Sequence, residues 1–83
     1  MSYRPRPKHL PTKLLAIRQR LGLSQTEMLR LLDLKCRYTR ISEFERGTRT
    51  PNLIMLLSYA RVGQVSLESI VDDDVALSPA NER

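Results

Sequence analysis

The stretch from Gly22 to Asn52 reads GLSQTEMLRLLDLKCRYTRISEFERGTRTPN. Its pattern predicts two short helices joined by a turn, followed by a loop that leads into a further helix. Ser24 is expected to cap the first helix, and Glu27, three residues later, completes the pattern of a capping box. Gly47 is expected to end the second helix, because glycine readily takes the left-handed conformation found at helix ends.

The second helix of this stretch is predicted to run from about Tyr38 to Arg46, with Ile41 and Phe44 facing inward. The positions left facing outward are Tyr38, Thr39, Arg40 and Glu43. Arginine can donate to guanine, glutamate can accept from cytosine, and threonine can contact the thymine methyl group. An exposed helix with these side chains is of a kind that a DNA major groove can admit.

Three more helices are predicted, one before this stretch (helix 1) and two that follow its loop (helices 4 and 5), so the two helices described above are helix 2 and helix 3. The first begins near Pro11 and ends at Gly22. The fourth is expected to have Thr50 as cap and Pro51 as first residue, and to end at Gly63. Ser66 is expected to cap the fifth. No segment alternates as a strand would, so the predicted fold is all-α, a compact bundle of about five short helices.

Composition divides the chain into three parts. Residues 1–10 form a basic arm with Pro5 and Pro7, which either tracks phosphates or is simply disordered. Residues 11–72 form the domain, and residues 73–83 are expected to be a flexible acidic and polar tail. Cys36, the one cysteine, has no partner for a disulfide, which suits a reducing cytoplasm. No apolar run approaches the length of a membrane span.

The charge is unevenly distributed. Residues 1–50 carry 12 Lys or Arg against 4 Asp or Glu, whereas residues 51–83 carry 2 against 5. A basic half suggests a face for a polyanion such as nucleic acid, although a solvated basic surface explains the same count. No Gly-rich phosphate loop, paired-cysteine spacing or set of catalytic side chains is present, so we expect neither an enzyme nor a metal or cofactor site.

Two runs in the quoted stretch resemble the lambda-repressor/Cro-like (XRE-type) helix-turn-helix family. They are Leu23-Ser24-Gln25 and Ile41-Ser42-x-Phe44-Glu45-Arg46-Gly47-x-Arg49-x-Pro51, and the resemblance extends over about Lys13 to Val71. It implies that helix 3 reads the major groove while the start of helix 2 grips phosphate. The DNA-binding residues implied in this way are Gln25, Thr26, Tyr38, Thr39, Arg40, Glu43, Thr48, Arg49 and Asn52.

The resemblance also implies an ion pair between Arg18 on helix 1 and Glu45 on helix 3. The alternatives are that Glu45 is solvated or pairs with Arg49. The chain departs from the family in its turn, residues 33–37, which is about two residues longer than usual and has Lys35 where glycine is expected. Cys36 in this turn is interpreted as a packing residue, the alternative being a redox switch.

The leading hypothesis is a DNA-binding transcriptional regulator, a repressor that acts as a homodimer on an inverted repeat of double-stranded DNA. The alternative is a protein-interaction module of the same fold, such as an antitoxin or adaptor that binds a partner protein. Four apolar residues are candidates for self-association, unless they simply close the core: Leu67, Ile70, Val75 and Leu77.

Overall fold

The structure is a computed structural model that describes residues 8–32 and 39–79. Its five α-helices are α1 (Leu10–Leu21), α2 (Gln25–Leu31), α3 (Thr39–Arg46), α4 (Leu53–Gly63) and α5 (Leu67–Val71). Across these described residues, an isolated bridge between Val65 and Pro79 is the one β-type pairing, so the predicted all-α fold is confirmed. None of the helices in these two ranges is long and apolar enough to cross a membrane.

The local signals at several helix ends act as predicted. Ser24 Oγ accepts a hydrogen bond from Glu27 N at 3.1 Å, and Glu27 Oε1 accepts one from Ser24 N at 2.8 Å. Gly22 ends α1 with a φ of 71°. Ser66 Oγ accepts from Ser69 N at the start of α5. The capping box and both of these helix boundaries are therefore confirmed.

The predicted start of α4 is wrong, whereas its predicted end is confirmed. Asn52, not Thr50, caps this helix, because its Oδ1 accepts from Met55 N at 2.9 Å. At the other end Gly63 is the last residue of the helix, and Gln64 after it, not the glycine, takes the left-handed conformation with a φ of 55°. Gly63 also has a packing role, since a Cβ there would lie 2.8 Å from Ile17 Cγ2 on α1.

The core draws on all five helices. Its members are Leu10, Leu14, Ile17, Met28, Leu32, Ile41, Phe44, Leu56, Tyr59, Ala60, Val65 and Ile70. Leu10 is only 3% exposed and is the first residue of α1, so the domain begins within the stretch assigned to the basic arm. Burial raises the pKa of Tyr59, whose hydroxyl finds no hydrogen-bond partner in the described part of the chain.

A buried lysine ties the C-terminal segment to α1. Lys13 Nζ lies 2.7 Å from the carbonyl oxygens of Ser69, Asp72 and Val75, so the three N–H bonds of its ammonium group are all used. Nothing in the sequence indicated this burial, because a lysine in an amphipathic helix is normally solvated.

The acidic segment, residues 72–74, also bonds to the beginning of the domain. The carboxylate of Asp73 accepts from Lys8 N at 2.9 Å and His9 N at 3.1 Å, and these bonds lower the pKa of Asp73. Farther along, Ser66 N donates to Ser78 O at 3.1 Å. The packed domain therefore extends to residue 79, beyond the boundary expected at residue 72. Residues 1–7 of the arm and 80–83 of the tail lie outside the described residues.

Replacing Lys13 with Met should lower the free energy of unfolding by about 3 kcal/mol, because three carbonyl oxygens lose their common donor. We expect the melting temperature, measured by circular dichroism, to fall by more than about 10 °C. Lys8→Met, which changes an exposed side chain, is the control. A shift of under about 2 °C for Lys13→Met would show that the three bonds contribute little.

Gly63→Ala should also destabilise the protein. Alanine in place of glycine inside a helix ordinarily stabilises by about 1 kcal/mol. Here the new methyl group would meet Ile17 Cγ2, and the crowding should reverse the sign. A rise in melting temperature on this substitution would contradict the close packing of α4 on α1.

Candidate nucleic-acid interface

One side of helix α3 packs against the core, and the opposite side is accessible to solvent. Ile41 and Phe44 are fully buried beneath it. Thr39 is exposed, and Arg40 and Glu43 are partly exposed. Three of the four positions expected to face bases are therefore accessible, and the fourth, Tyr38, lies outside the described residues together with the turn at 33–37 and Cys36.

The loop after α3 folds back onto Glu43. Gly47 turns the chain with a φ of 80°, and Thr48 N then donates to Glu43 O at 3.0 Å. Thr48 Oγ1 contacts the same carbonyl oxygen at 3.3 Å. This turn brings Thr48 and Arg49 beside the accessible side of α3, as a DNA-binding surface would require.

Two arginines bracket the carboxylate of Glu43. Arg49 Nε lies 3.0 Å and Arg40 Nε lies 3.7 Å from Glu43 Oε1. The sequence analysis assigned these three side chains separate DNA contacts and missed that both arginines contact Glu43. Exposed ion pairs of this kind are worth little, about 1 kcal/mol or less, so the arginines can exchange Glu43 for groups on DNA.

The remaining predicted contacts lie at two helix starts. Gln25, the first residue of α2, is partly buried, and its Nε2 donates to Glu45 Oε1 at 3.1 Å. Thr26 beside it is exposed. Asn52 uses its side-chain oxygen to cap α4, which leaves the N–H bonds of its side-chain amide as its donors.

Arg18 and Glu45 form a two-pronged contact between α1 and α3. Arg18 Nε lies 2.6 Å from Glu45 Oε2, and Arg18 Nη2 lies 3.0 Å from Glu45 Oε1. The hydrogen bond to Glu45 raises the pKa of Arg18. Arg18 Nη1 also donates to Leu23 O at 2.9 Å. Arg49, the other partner considered for Glu45, contacts Glu43 instead.

The four apolar candidates for self-association differ in how exposed their side chains are. Ile70 is 0% exposed and belongs to the core, so it cannot contact a second chain. Leu67 and Leu77 pack partly buried against the core, and Val75 is more exposed. Among residues 8–32 and 39–79, the most exposed large apolar side chains are instead Leu53 and Ile54 at the start of α4, at 59% and 69%.

Metal-binding chemistry has no support in the described residues, where no group of three His, Cys, Asp or Glu side chains is placed to hold an ion. The arrangement instead offers arginines, amides and hydroxyls on one accessible surface around α3. These are the groups that bind phosphates and base edges.

Comparisons with known proteins agree with this geometry. The helix-turn-helix family matches residues 14–70, which is more than half of the chain. Among solved structures, this chain is similar to the P22 c2 repressor protein, crystallised in complex with synthetic operator 9T in the presence of Tl⁺. The TM-score is 0.70 and the identity 23%, over 78% of this chain and 96% of that chain. At this identity the likeness shows the fold. No curated protein matches the sequence.

Glu45→Ala should lower the melting temperature by several degrees, because the guanidinium of Arg18 would remain largely buried without its carboxylate. Glu68→Ala removes an exposed carboxylate from α5 and is the control, with little expected effect. A shift of under about one degree for Glu45→Ala would mean that the contact contributes nothing to the fold.

Proposed function

Because the chain belongs to the XRE-type helix-turn-helix family, we propose that it is a sequence-specific transcriptional regulator that represses by binding operator DNA as a homodimer. The observation that carries this proposal is the accessible surface of α3. It combines Arg40 and Glu43 with the basic loop at Arg49, on a helix held by its buried side. A rigid support of this kind is what base recognition requires, since misplacing the helix would misplace each side chain at once.

In the proposed complex α3 enters the major groove. Thr39, Arg40 and Glu43 face base edges, with Tyr38 as a further candidate. Phosphates are contacted by side chains on both sides of the helix: Gln25, Thr26, Thr48, Arg49 and Asn52. The phosphate contacts supply affinity and register, whereas the base contacts supply sequence preference.

Glu43 has a particular place in this scheme. A carboxylate facing DNA is repelled by every phosphate, and Arg40 and Arg49 offset that charge in the free protein. When the arginines turn to DNA, Glu43 needs a new donor, and the amino group of cytosine is the one that a major groove offers an acidic side chain. Glu43 would therefore select sequences by penalising those that leave it unpaired.

The homodimer is proposed because one small domain makes few contacts on its own. Two-fold proteins of this kind bind half-sites spaced about one helical turn apart. Among the residues expected to support the subunit contact, Val75 is the most exposed and Leu67 and Leu77 are partly accessible. The exposed pair Leu53 and Ile54 favours the second candidate function, an interaction module that binds a partner protein.

Selection from a random DNA pool at about 150 mM salt tests the proposal, because non-specific phosphate binding is suppressed there. We expect enrichment of an inverted repeat. A single enriched half-site would contradict the homodimer while leaving specific binding intact. A pool without enrichment would contradict sequence-specific binding and favour the interaction module.

Two substitutions should separate the roles of Glu43 and Arg49. Arg49→Ala should weaken binding to all sequences alike and reduce the salt dependence by about one phosphate contact. Glu43→Ala should change the preferred sequence while leaving binding to random duplexes unchanged or slightly tighter. Fluorescence anisotropy with selected and random duplexes measures both effects. An unchanged preference in Glu43→Ala would show that this side chain does not face a base.

A further inference from the structure

Glu45 has a second partner beyond Arg18. Its side chain is only 6% exposed, and its carboxylate accepts hydrogen bonds from Arg18 Nε, Arg18 Nη2 and Gln25 Nε2. The contact with Gln25 joins the end of α3 to the first residue of α2. Gln25 is one of the residues proposed above to bind DNA, so the buried acid touches the binding surface directly.

The chemistry of this contact decides which way the amide of Gln25 faces. An ionised carboxylate has no hydrogen to donate, so it accepts from the –NH₂ group of Gln25 and repels the carbonyl oxygen. The two N–H bonds of that group diverge by about 120°, the planar geometry of a primary amide. With one N–H given to Glu45, the second points away from the carboxylate and stays available to a ligand.

We propose that Glu45 is a positioning residue for DNA binding, which acts by orienting the Gln25 amide so that its second N–H donates to a phosphodiester oxygen. This inference rests on the proposed function. If the amide were free to turn over, it would offer its carbonyl oxygen to the phosphate as often as its N–H. Two acceptors facing each other repel, so only the orientation with an N–H toward the phosphate contributes to binding, and the contact with Glu45 favours that orientation in advance.

Arg18 supports the same arrangement from the other side. Its Nη1 holds the carbonyl oxygen of Leu23, which directly precedes the cap of α2, while its other nitrogens hold Glu45. The backbone before α2 and the side chain of Gln25 are thus fixed relative to the same carboxylate. The start of α2 and the end of α3 are held as one unit.

Glu45→Gln separates positioning from simple electrostatics, because the two predict opposite signs. Removing a negative charge should by itself leave DNA binding unchanged or make it tighter. Loss of positioning should weaken binding by up to about tenfold, the value of one hydrogen bond to a charged phosphate. The matched control is Glu68→Gln, which makes the same charge change on an exposed position of α5 and should bind unchanged or slightly tighter.

A double-mutant cycle then tests whether the effect passes through Gln25. Gln25→Met keeps the length of the side chain and removes its amide, and should weaken binding by about tenfold. The double variant should bind no more weakly than Gln25→Met alone, within about twofold. Tighter or unchanged binding in Glu45→Gln, or losses that multiply in the double variant, would overturn the inference. Binding is measured at low temperature, where circular dichroism shows that each variant is folded.

The free wild-type protein supplies a measurement that needs neither DNA nor a destabilised variant. In the nuclear Overhauser spectrum of ¹⁵N-labelled protein, a side-chain amide proton of Gln25 should show a cross-peak to the γ protons of Glu45. A missing cross-peak overturns the inference even if DNA binding is normal. A wild-type protein that shows the cross-peak but binds no DNA overturns the proposed function, and with it the role of Glu45 in DNA binding.

Discussion

The carboxylate of Glu45 is the point on which the rest of the structure depends, because α1, α2 and α3 meet there. Arg18 reaches it from α1 and Gln25 from α2, while Glu45 itself belongs to α3. Burying a charge is costly, and an apolar pair of similar size often stabilises a protein as well as a buried ion pair does. What this contact adds is direction: a two-pronged arginine–carboxylate pair tolerates few orientations. It therefore sets the angle at which the accessible side of α3 is presented.

A second buried charge, Lys13, binds the C-terminal part of the domain. Its ammonium group gathers three carbonyl oxygens from the end of α5 and the segment after it. The acidic segment is also bonded within the fold, since Asp73 accepts from two backbone N–H groups and Asp72 Oδ1 accepts from Asp74 N. The acidic second half of the sequence thus has a structural use. Helix α1 carries both Arg18 and Lys13, and so connects α3 to the C-terminal part of the domain.

Local chemistry explains how far the sequence could be interpreted. The capping box at Ser24 and the end of α1 at Gly22 depend on residues within one turn of each other, so pattern alone predicted them. Contacts between distant residues leave no such trace. The Arg18–Glu45 pair was implied only by the family resemblance, and the burial of Lys13 was not anticipated, because its partners lie more than 50 residues away. At α4 the pattern of Thr50 before Pro51 predicted the cap two residues too early, and Asn52 caps the helix instead.

The most direct test of this account is to add duplex DNA to ¹⁵N-labelled protein and record which backbone amide signals move. The account predicts that the largest shifts fall at the start of α2, along α3 and in the loop from Gly47 to Asn52. Signals from α5 and from residues 72–79 should hardly change. Shifts concentrated on α5 or on the exposed start of α4, with α3 unaffected, would contradict the claim that the surface held by Glu45 is where DNA binds.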